Sequence, residues 1–175
     1  NFLITKRMTI SFPKSSHQSG LRFMIRNPHP KKERHGDCGV RAICLAFDLD
    51  YNKVWKAATK AKQMNAPAYA ISNGRGRGYK IVKSKATATW GLSKTDLIDT
   101  LAFLNIDAVY KTTAYKEIGR DIQMYFHAGN LPERCIAHIP RHWVAVKNGS
   151  IWDSYDSRGT RPRKLRGYVC LREDD

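Results

Sequence analysis

The sequence predicts a single α+β domain, in which a buried N-terminal helix that carries Cys38 is packed on a C-terminal antiparallel sheet. Two observations predict this class. The segment Cys38–Phe47 is apolar on nearly every side, as expected of a buried helix rather than an amphipathic one. The chain from residue 134 onward consists mainly of short β-type runs, and helices followed by strands are typical of α+β domains.

The boundary of this domain is predicted at residue 36. Residues 1–35 are rich in Lys, Arg, Ser, Pro and His, which indicates a basic extended arm with one short strand over 21–25. Residues 36–175 form the domain itself. A chain of 175 residues that is 42% hydrophobic is long enough to bury a core.

Capping signals predict where three helices begin. Asp37 is expected to cap the first, because a carboxylate there accepts hydrogen bonds from the free N–H groups of the first turn. Asp50 is expected to cap a second helix over 51–63 in the same way. Ser93 and Asp96 form a capping box in front of a third apolar run.

Shorter patterns define the remaining elements. Residues 72–91, with Gly-Arg-Gly-Arg-Gly at 74–78, are expected to form a loop, and residues 117–126 a short helix. Strands are predicted over 107–112, 135–139, His142–Lys147, 151–155 and 165–171.

A two-residue turn fixes the register of two of these strands. Asn148-Gly149 between apolar runs predicts a type I′ hairpin, in which both residues adopt positive φ. Because side chains alternate along a strand, this register makes His142 and Asp153 diagonal neighbours on one face of the sheet. It places Asp156, the competing carboxylate, on the opposite face.

Cys38 is the candidate nucleophile. Only a thiolate is a good nucleophile, and the positive end of a helix lowers the pKa of a thiol in its first turn. Gly36 and Gly39 are expected to leave the backbone open to a substrate, while the charge of Asp37 opposes thiolate formation unless it is used in capping. The competing interpretation is that Cys38 is a small core residue, as free cysteines usually are. The other cysteines are interpreted as structural: Cys44, Cys135 and Cys170.

His142 and Asp153 are the candidate base and orienting acid. A carboxylate bonded to one ring nitrogen fixes the tautomer, so that the other nitrogen faces the thiol. The competing interpretation is that the two residues make ordinary strand-end contacts. His138 lacks a carboxylate at matching register and is interpreted as structural.

These segments resemble a known family. Gly36-Asp-Cys-Gly-Val-Arg-Ala-Ile43, followed by His142-Trp-Val-Ala-Val146 and Trp152-Asp-Ser-Tyr-Asp156, resembles papain-like cysteine peptidases over roughly residues 36–50 and 134–170. The Asp-Cys-Gly opening is similar to the leader peptidases of bacteriocin exporters. The whole pattern looks closer still to small papain-fold proteins of tailed bacteriophages. The resemblance implies a papain-like fold with Cys38 as nucleophile, His142 as base and Asp153 as orienting acid.

The chain departs from this family at one position. Many such peptidases have a Gln about six residues before the Cys that helps to hold the oxyanion, and Lys32 stands there in this chain. His35 could replace it, or backbone N–H groups could serve alone.

Three functions fit these residues. The leading hypothesis is a cysteine peptidase or isopeptidase that acts on a protein or peptide substrate. The alternatives are an acyltransferase with the same triad, and a papain-fold protein without catalysis that binds nucleic acid or a host complex or is itself a virion component. Nothing in the sequence indicates a cofactor, a metal site or a membrane segment. We expect the protein in the cytoplasm of a host cell or in a virion and not secreted, since the cysteines are scattered and no signal peptide is seen.

The charge of the chain suggests an anionic partner. The formal net charge is +16, and residues 51–95 contain ten basic residues and no acidic one. Arg75, Arg77 and Lys80 are the candidates for non-specific nucleic-acid contact, although an acidic protein substrate would explain the charge equally well.

Overall fold

A computed structural model of the chain describes residues 22–32, 36–66, 69–72, 79–82, 86–113, 131–157 and 164–172. Within these ranges the fold is mixed α+β. Helix α1 spans Cys38–Phe47, α2 spans Tyr51–Asn65 and α3 spans Lys94–Phe103, with a 3₁₀ turn at Ala88–Trp90. None of the helices in the described part of the chain has the length and apolar character needed to cross a lipid bilayer.

Six described strands form the main sheet. They are β1 (Arg22–Ile25), β4 (Ala108–Thr112), β5 (Arg134–Ile139), β6 (His142–Lys147), β7 (Ser150–Asp153) and β8 (Gly167–Leu171), in the order β1-β7-β6-β5-β8-β4. All neighbouring pairs are antiparallel except β1 and β7. The C-terminal strands are antiparallel as predicted, but the prediction of an antiparallel sheet is corrected at this edge, where the parallel pairing of β1 makes the sheet mixed. The described strand of the arm pairs parallel to β7.

A second correction concerns residues 72–91, which were expected to be a loop. Strands β2 (Tyr69–Ser72) and β3 (Tyr79–Val82) pair in an antiparallel ladder instead. Tyr, Ile and Val favour β-strands. The prediction gave more weight to the glycine and arginine residues between the two strands, which are typical of a loop. The segment 74–78, with Arg75 and Arg77, and the helix predicted over 117–126 lie outside the described residues.

Helix α1 packs against the centre of the sheet, as predicted. Val40, Ile43 and Ala46 have no exposed surface, and they form a core with Ala145 of β6 and Val169 of β8. The opposite face of the sheet has its own apolar cluster, built from alternate residues of the same strands. The first residue of α1, Cys38, is thereby held over β6.

The hairpin between β6 and β7 has the predicted geometry. Asn148 and Gly149 have φ values of 50° and 67°, and Lys147 pairs with Ser150 in the ladder. Val146 pairs with Ile151. His142 at the start of β6 and Asp153 at the end of β7 therefore lie at the same end of the hairpin.

Two of the three predicted helix caps are confirmed. The Asp50 side chain accepts from the N–H of Lys53, and Ser93 and Asp96 form a complete capping box. Asp37 precedes α1, but its side chain makes no capping hydrogen bond. The prediction was wrong because the Asp37 carboxylate turns into the core, where it has other partners.

Candidate functional site

Cys38, His142 and Asp153 come together at one end of the β6–β7 hairpin. The Nε2–H group of His142 donates to Oδ2 of Asp153 over 2.6 Å. The thiol of Cys38 is hydrogen-bonded to the His142 side chain. Because Nε2 faces the carboxylate, Nδ1 is the ring nitrogen left for the sulfur atom. Both His142 and Asp153 are buried, at 7% and 4% exposed.

Opposing influences act on the Cys38 thiol. Burial is the largest and raises its pKa, but the hydrogen bond and charge of His142 lower it, as do the backbone N–H of Trp143 and the charge of Arg41. Together they hold the pKa of Cys38 below its ordinary value of 9.0. The thiol therefore loses its proton more readily than a free cysteine does.

The imidazole of His142 is shifted in the complementary direction. Burial lowers its pKa, but hydrogen bonds and charge from Asp153 and Cys38 outweigh this and raise the pKa from 6.5 to about 9. A thiol with a lowered pKa beside an imidazole with a raised one favours a thiolate–imidazolium pair at neutral pH.

The three remaining cysteines have a different environment. Burial and the charge of Asp50 raise the pKa of Cys44 to about 12, and burial raises that of Cys135 still further. Cys170 is buried at 5% exposure on β8. Cys38, which is partly exposed, is the one cysteine of the described chain that combines access with a lowered pKa.

Trp143 is a residue of the site that sequence reasoning missed. Its backbone N–H contacts the Cys38 sulfur, and its indole Nε1–H donates to the carbonyl of Leu92 over 2.9 Å. The ring stacks on His138, with centroids 4.2 Å apart, and the Tyr110 hydroxyl lies 3.1 Å from Nδ1 of His138. His138 thus packs on Trp143 and contacts Tyr110, as expected of a structural residue.

A buried polar network, also missed, surrounds the site. Asp37 is fully buried and pairs with Nη2 of Arg41 over 2.6 Å, while the Tyr51 hydroxyl donates to it over 2.5 Å. Arg41 therefore neutralises the charge of Asp37 that the sequence had placed unfavourably beside Cys38. The sequence did contain a signal for this ion pair. Asp37 and Arg41 are four residues apart, and Arg41 is the only charged residue in the apolar segment 38–47.

The two glycines beside Cys38 have a packing role. A Cβ atom at Gly36 would overlap the carbonyl oxygen of Thr89, and one at Gly39 would lie 2.9 Å from Cδ1 of Leu92. The expectation that these glycines open the backbone to a substrate is therefore corrected. They let the 89–92 segment approach the start of α1.

Tyr155 packs beside the imidazole of His142. Its ring centroid lies 5.2 Å from that of His142, and the side chain is 36% exposed. Asp156, the rejected alternative acid, is exposed, whereas Asp153 is buried and bonded to His142. Asp153 is thus the carboxylate that is hydrogen-bonded to His142, as the register predicts, and its role as orienting acid stays a prediction.

The other candidate residues lie away from the site or outside the description. Lys32, at the position of the family's Gln, is exposed and donates to the carbonyl of Asn27 over 2.9 Å. His35, Arg75 and Arg77 are not among the described residues, and Lys80 lies in β3. Among the described residues, no three His, Cys, Asp or Glu side chains are close enough together to hold a metal ion.

Compared with protein-family models, with curated proteins and with solved structures, the chain gives no match. The resemblance to papain-like peptidases therefore stays a prediction from the sequence motifs, and the geometry of the site is what bears on function.

Proposed function

We propose that this chain is a cysteine peptidase or isopeptidase with a papain-like arrangement, in which Cys38 is the nucleophile, His142 the general base and acid, and Asp153 the orienting acid. One observation carries the proposal. A buried imidazole is held by a carboxylate on one side at 2.6 Å and by a partly exposed thiol of lowered pKa on the other. A cysteine that only fills space has no need of such a partner.

The reaction follows from these positions. The Cys38 thiolate attacks the carbonyl carbon of the scissile bond, and a C–S bond forms as negative charge moves to the carbonyl oxygen. When the negative charge on the oxygen re-forms the carbonyl, the C–N bond breaks and the imidazolium of His142 gives its proton to the leaving amine. Neutral His142 then takes a proton from water, the resulting hydroxide attacks the acyl-enzyme, and the thiolate leaves.

The start of α1 supplies the oxyanion donors in this proposal. The first hydrogen bond of the helix runs from the N–H of Arg41 to the carbonyl of Asp37, so the N–H groups of the preceding residues have no acceptor within the helix. Cys38 itself contributes one such N–H group. Backbone donors at a helix N-terminus favour a developing negative charge.

Labelling with electrophilic probes tests the proposal. We expect peptide-based or ubiquitin-like probes with a cysteine-reactive end to label the wild type at Cys38 and to leave Cys38→Ala unlabelled. Cys44→Ala is the matched control and should be labelled like the wild type. Labelling at Cys135 or Cys170 instead would refute the assignment. Adding a primary amine to a reacting substrate separates transfer from hydrolysis, because an acyltransferase yields the amide and a peptidase the acid.

A second function has support from a different surface. Lys53, Lys56 and Lys60 are exposed on α2 at spacings that place them on one side of the helix. Such a row favours contact with an anionic polymer such as nucleic acid. This is the basis for the alternative of a papain-fold binding or virion protein without catalysis.

A further inference from the structure

Arg41 is a buried charge in an otherwise apolar helix. Its side chain is 4% exposed, and α1 packs against β6 and β7. Removing a guanidinium from water is costly unless its partners are well placed, and an apolar residue would suit the helix better. The contacts of Arg41 therefore indicate what it does for the site.

The guanidinium joins two parts of the site. Nη2 lies 2.6 Å from Oδ1 of Asp37, the residue before Cys38. Nη1 donates to Oγ of Ser154 over 2.7 Å. The backbone N–H of Ser154 donates in turn to Oδ1 of Asp153 over 2.7 Å. One planar group thus connects the residue before the nucleophile with the residue after the orienting acid.

These two parts belong to different elements. Asp37 and Arg41 lie at the start of α1, whereas Ser154 follows the end of β7, 113 residues further along the chain. The fixed fork of a guanidinium sets both distance and orientation, which the single ammonium group of a lysine does not. The carboxylate of Asp153 bonds to Ser154 through Oδ1 and to His142 through Oδ2, so a rotation of this turn would move it off the imidazole.

We propose that Arg41 is a positioning residue, which holds the Asp153–Ser154 turn in register with the first turn of α1 so that Asp153 and Cys38 meet His142 together. This inference rests on the proposed function, but its measurement is the thiol chemistry of Cys38 and needs no substrate. Charged and titratable groups around Arg41 in the described part of the chain include Asp37, Tyr51 and Cys38 and, through Ser154, Asp153 and His142.

The test is the pH dependence of iodoacetamide alkylation at Cys38, followed by peptide mapping. In Arg41→Lys the positive charge remains beside Asp37, but the link to Ser154 is lost. We expect the midpoint of the alkylation profile to rise by about half a pH unit or more, which is about threefold less thiolate below the midpoint. Arg134→Lys is the matched control and should keep the wild-type profile, because Arg134 is exposed and lies 4.0 Å from Asp48, away from the site.

Ser154→Ala tests the same link if Arg41→Lys does not fold. It removes the acceptor of Nη1 and also the 3.4 Å hydrogen bond from the Ser154 hydroxyl to Oδ1 of Asp153, while the Arg41–Asp37 pair and the Ser154 backbone N–H stay in place. We expect a shift of the midpoint in the same direction. A folded variant with a lower unfolding temperature and an unchanged midpoint would show that the link is only structural and would overturn the inference. Failure of the wild type to hydrolyse any peptide, with the midpoint still shifted in the variants, would count against the peptidase and leave the positioning role supported.

Discussion

The imidazole of His142 and the carboxylate of Asp153 form a buried hydrogen bond of 2.6 Å between two neighbouring strands. Asp153 is held in turn by the backbone N–H of Ser154, so the carboxylate has donors on both oxygens. In the proposed mechanism the acid is therefore already fixed when a substrate binds. A fixed acid determines the tautomer and the orientation of the base.

Asp153→Asn should remove most of the activity with little loss of folding. An amide keeps the shape of the carboxylate but carries no charge, so the pKa of His142 should fall from about 9 toward 6.5. We expect hydrolysis of a reporter peptide near neutral pH to slow by about 100-fold or more, in the range usual for loss of general acid–base catalysis. Probe labelling at Cys38 should slow as well, because the thiolate fraction falls. NMR titration of the His142 ring checks the pKa, and the labelling rate checks the consequence.

Asp156→Asn is the matched control for this prediction. Asp156 is exposed and lies three residues further along the chain, and its substitution should leave the labelling rate within about twofold of the wild type. Equal losses in the two variants would contradict the assignment of Asp153 as the orienting acid.

The Cys38–His142 pair should also make stability depend on pH in a particular way. The raised pKa of His142 contributes stability that is fully present below pH 6.5 and is lost as pH rises through about 9. The lowered pKa of Cys38 contributes stability that is present above pH 9.0 and is lost as pH falls through the folded-state value. The Cys38 window extends downward from pH 9.0 and overlaps the His142 window of pH 6.5 to about 9. Where the two windows overlap the slopes oppose each other, because folding moves a proton from the thiol to the imidazole without net exchange.

In Cys38→Ala, the pH dependence of stability should show the contribution of His142 without the opposing contribution of the thiol. We expect the free energy of unfolding of this variant to fall relative to the wild type as pH rises above 6.5, over a window that ends below 9 because Cys38 itself contributes to the raised pKa of His142. The loss should be on the order of 1 kcal/mol. Urea denaturation at three pH values in this window measures the difference. Parallel curves for the two proteins would mean that the thiol and the imidazole do not share a proton.

Sequence reasoning located the Cys–His–Asp site because its signals are local. The Asn148-Gly149 turn fixes a register of two strands, and alternation then decides between Asp153 and Asp156. The start of α1 is equally local, since the apolar run begins at Cys38. In both cases the deciding residues lie within about ten positions of one another.

The parts that were missed depend on distant residues. The Arg41–Ser154 hydrogen bond joins positions 113 apart. No local sequence pattern marks Ser154 as a serine that will accept a hydrogen bond from an arginine. Asp37 resembles a helix cap in sequence, but a buried arginine and a tyrosine hydroxyl compete successfully for its carboxylate. The parallel pairing of β1 with β7 likewise cannot be predicted from local sequence, because it depends on the assembled sheet.

Tyr51→Phe should destabilise the fold through the buried carboxylate of Asp37. Burial raises the pKa of Tyr51, so its hydroxyl stays protonated and donates to Oδ2 of Asp37 over 2.5 Å. Removing a donor from a fully buried carboxylate should lower the free energy of unfolding by about 1–3 kcal/mol. Tyr110→Phe is the control, because its hydroxyl bonds to a half-buried imidazole and should cost less. Chemical denaturation of both variants measures the difference, and equal losses would contradict the special role of Asp37.

The last prediction concerns the basic face of α2, formed by Lys53, Lys56 and Lys60. All three are exposed, whereas Lys62 on the same helix lies 3.5 Å from the Asp96 carboxylate and donates to the carbonyl of Gly91. If the chain binds nucleic acid, the affinity should fall with salt at a log–log slope of about −0.9 for each duplex phosphate contacted. Replacing the three exposed lysines with Gln should make that slope shallower by about 2 to 3 for unrelated sequences alike.

Two further variants show what such binding means. Arg75→Ala with Arg77→Ala tests the contribution of the glycine–arginine segment in the same titration, and Cys38→Ala should leave binding unchanged because the site lies on another part of the fold. Fluorescence anisotropy at several salt concentrations measures each slope. A slope that is unchanged in the triple lysine variant would exclude this face of α2 as the interface. Tight binding together with an unreactive Cys38 would favour a binding protein over a peptidase, since the charge of the chain would then have a use that the thiol lacks.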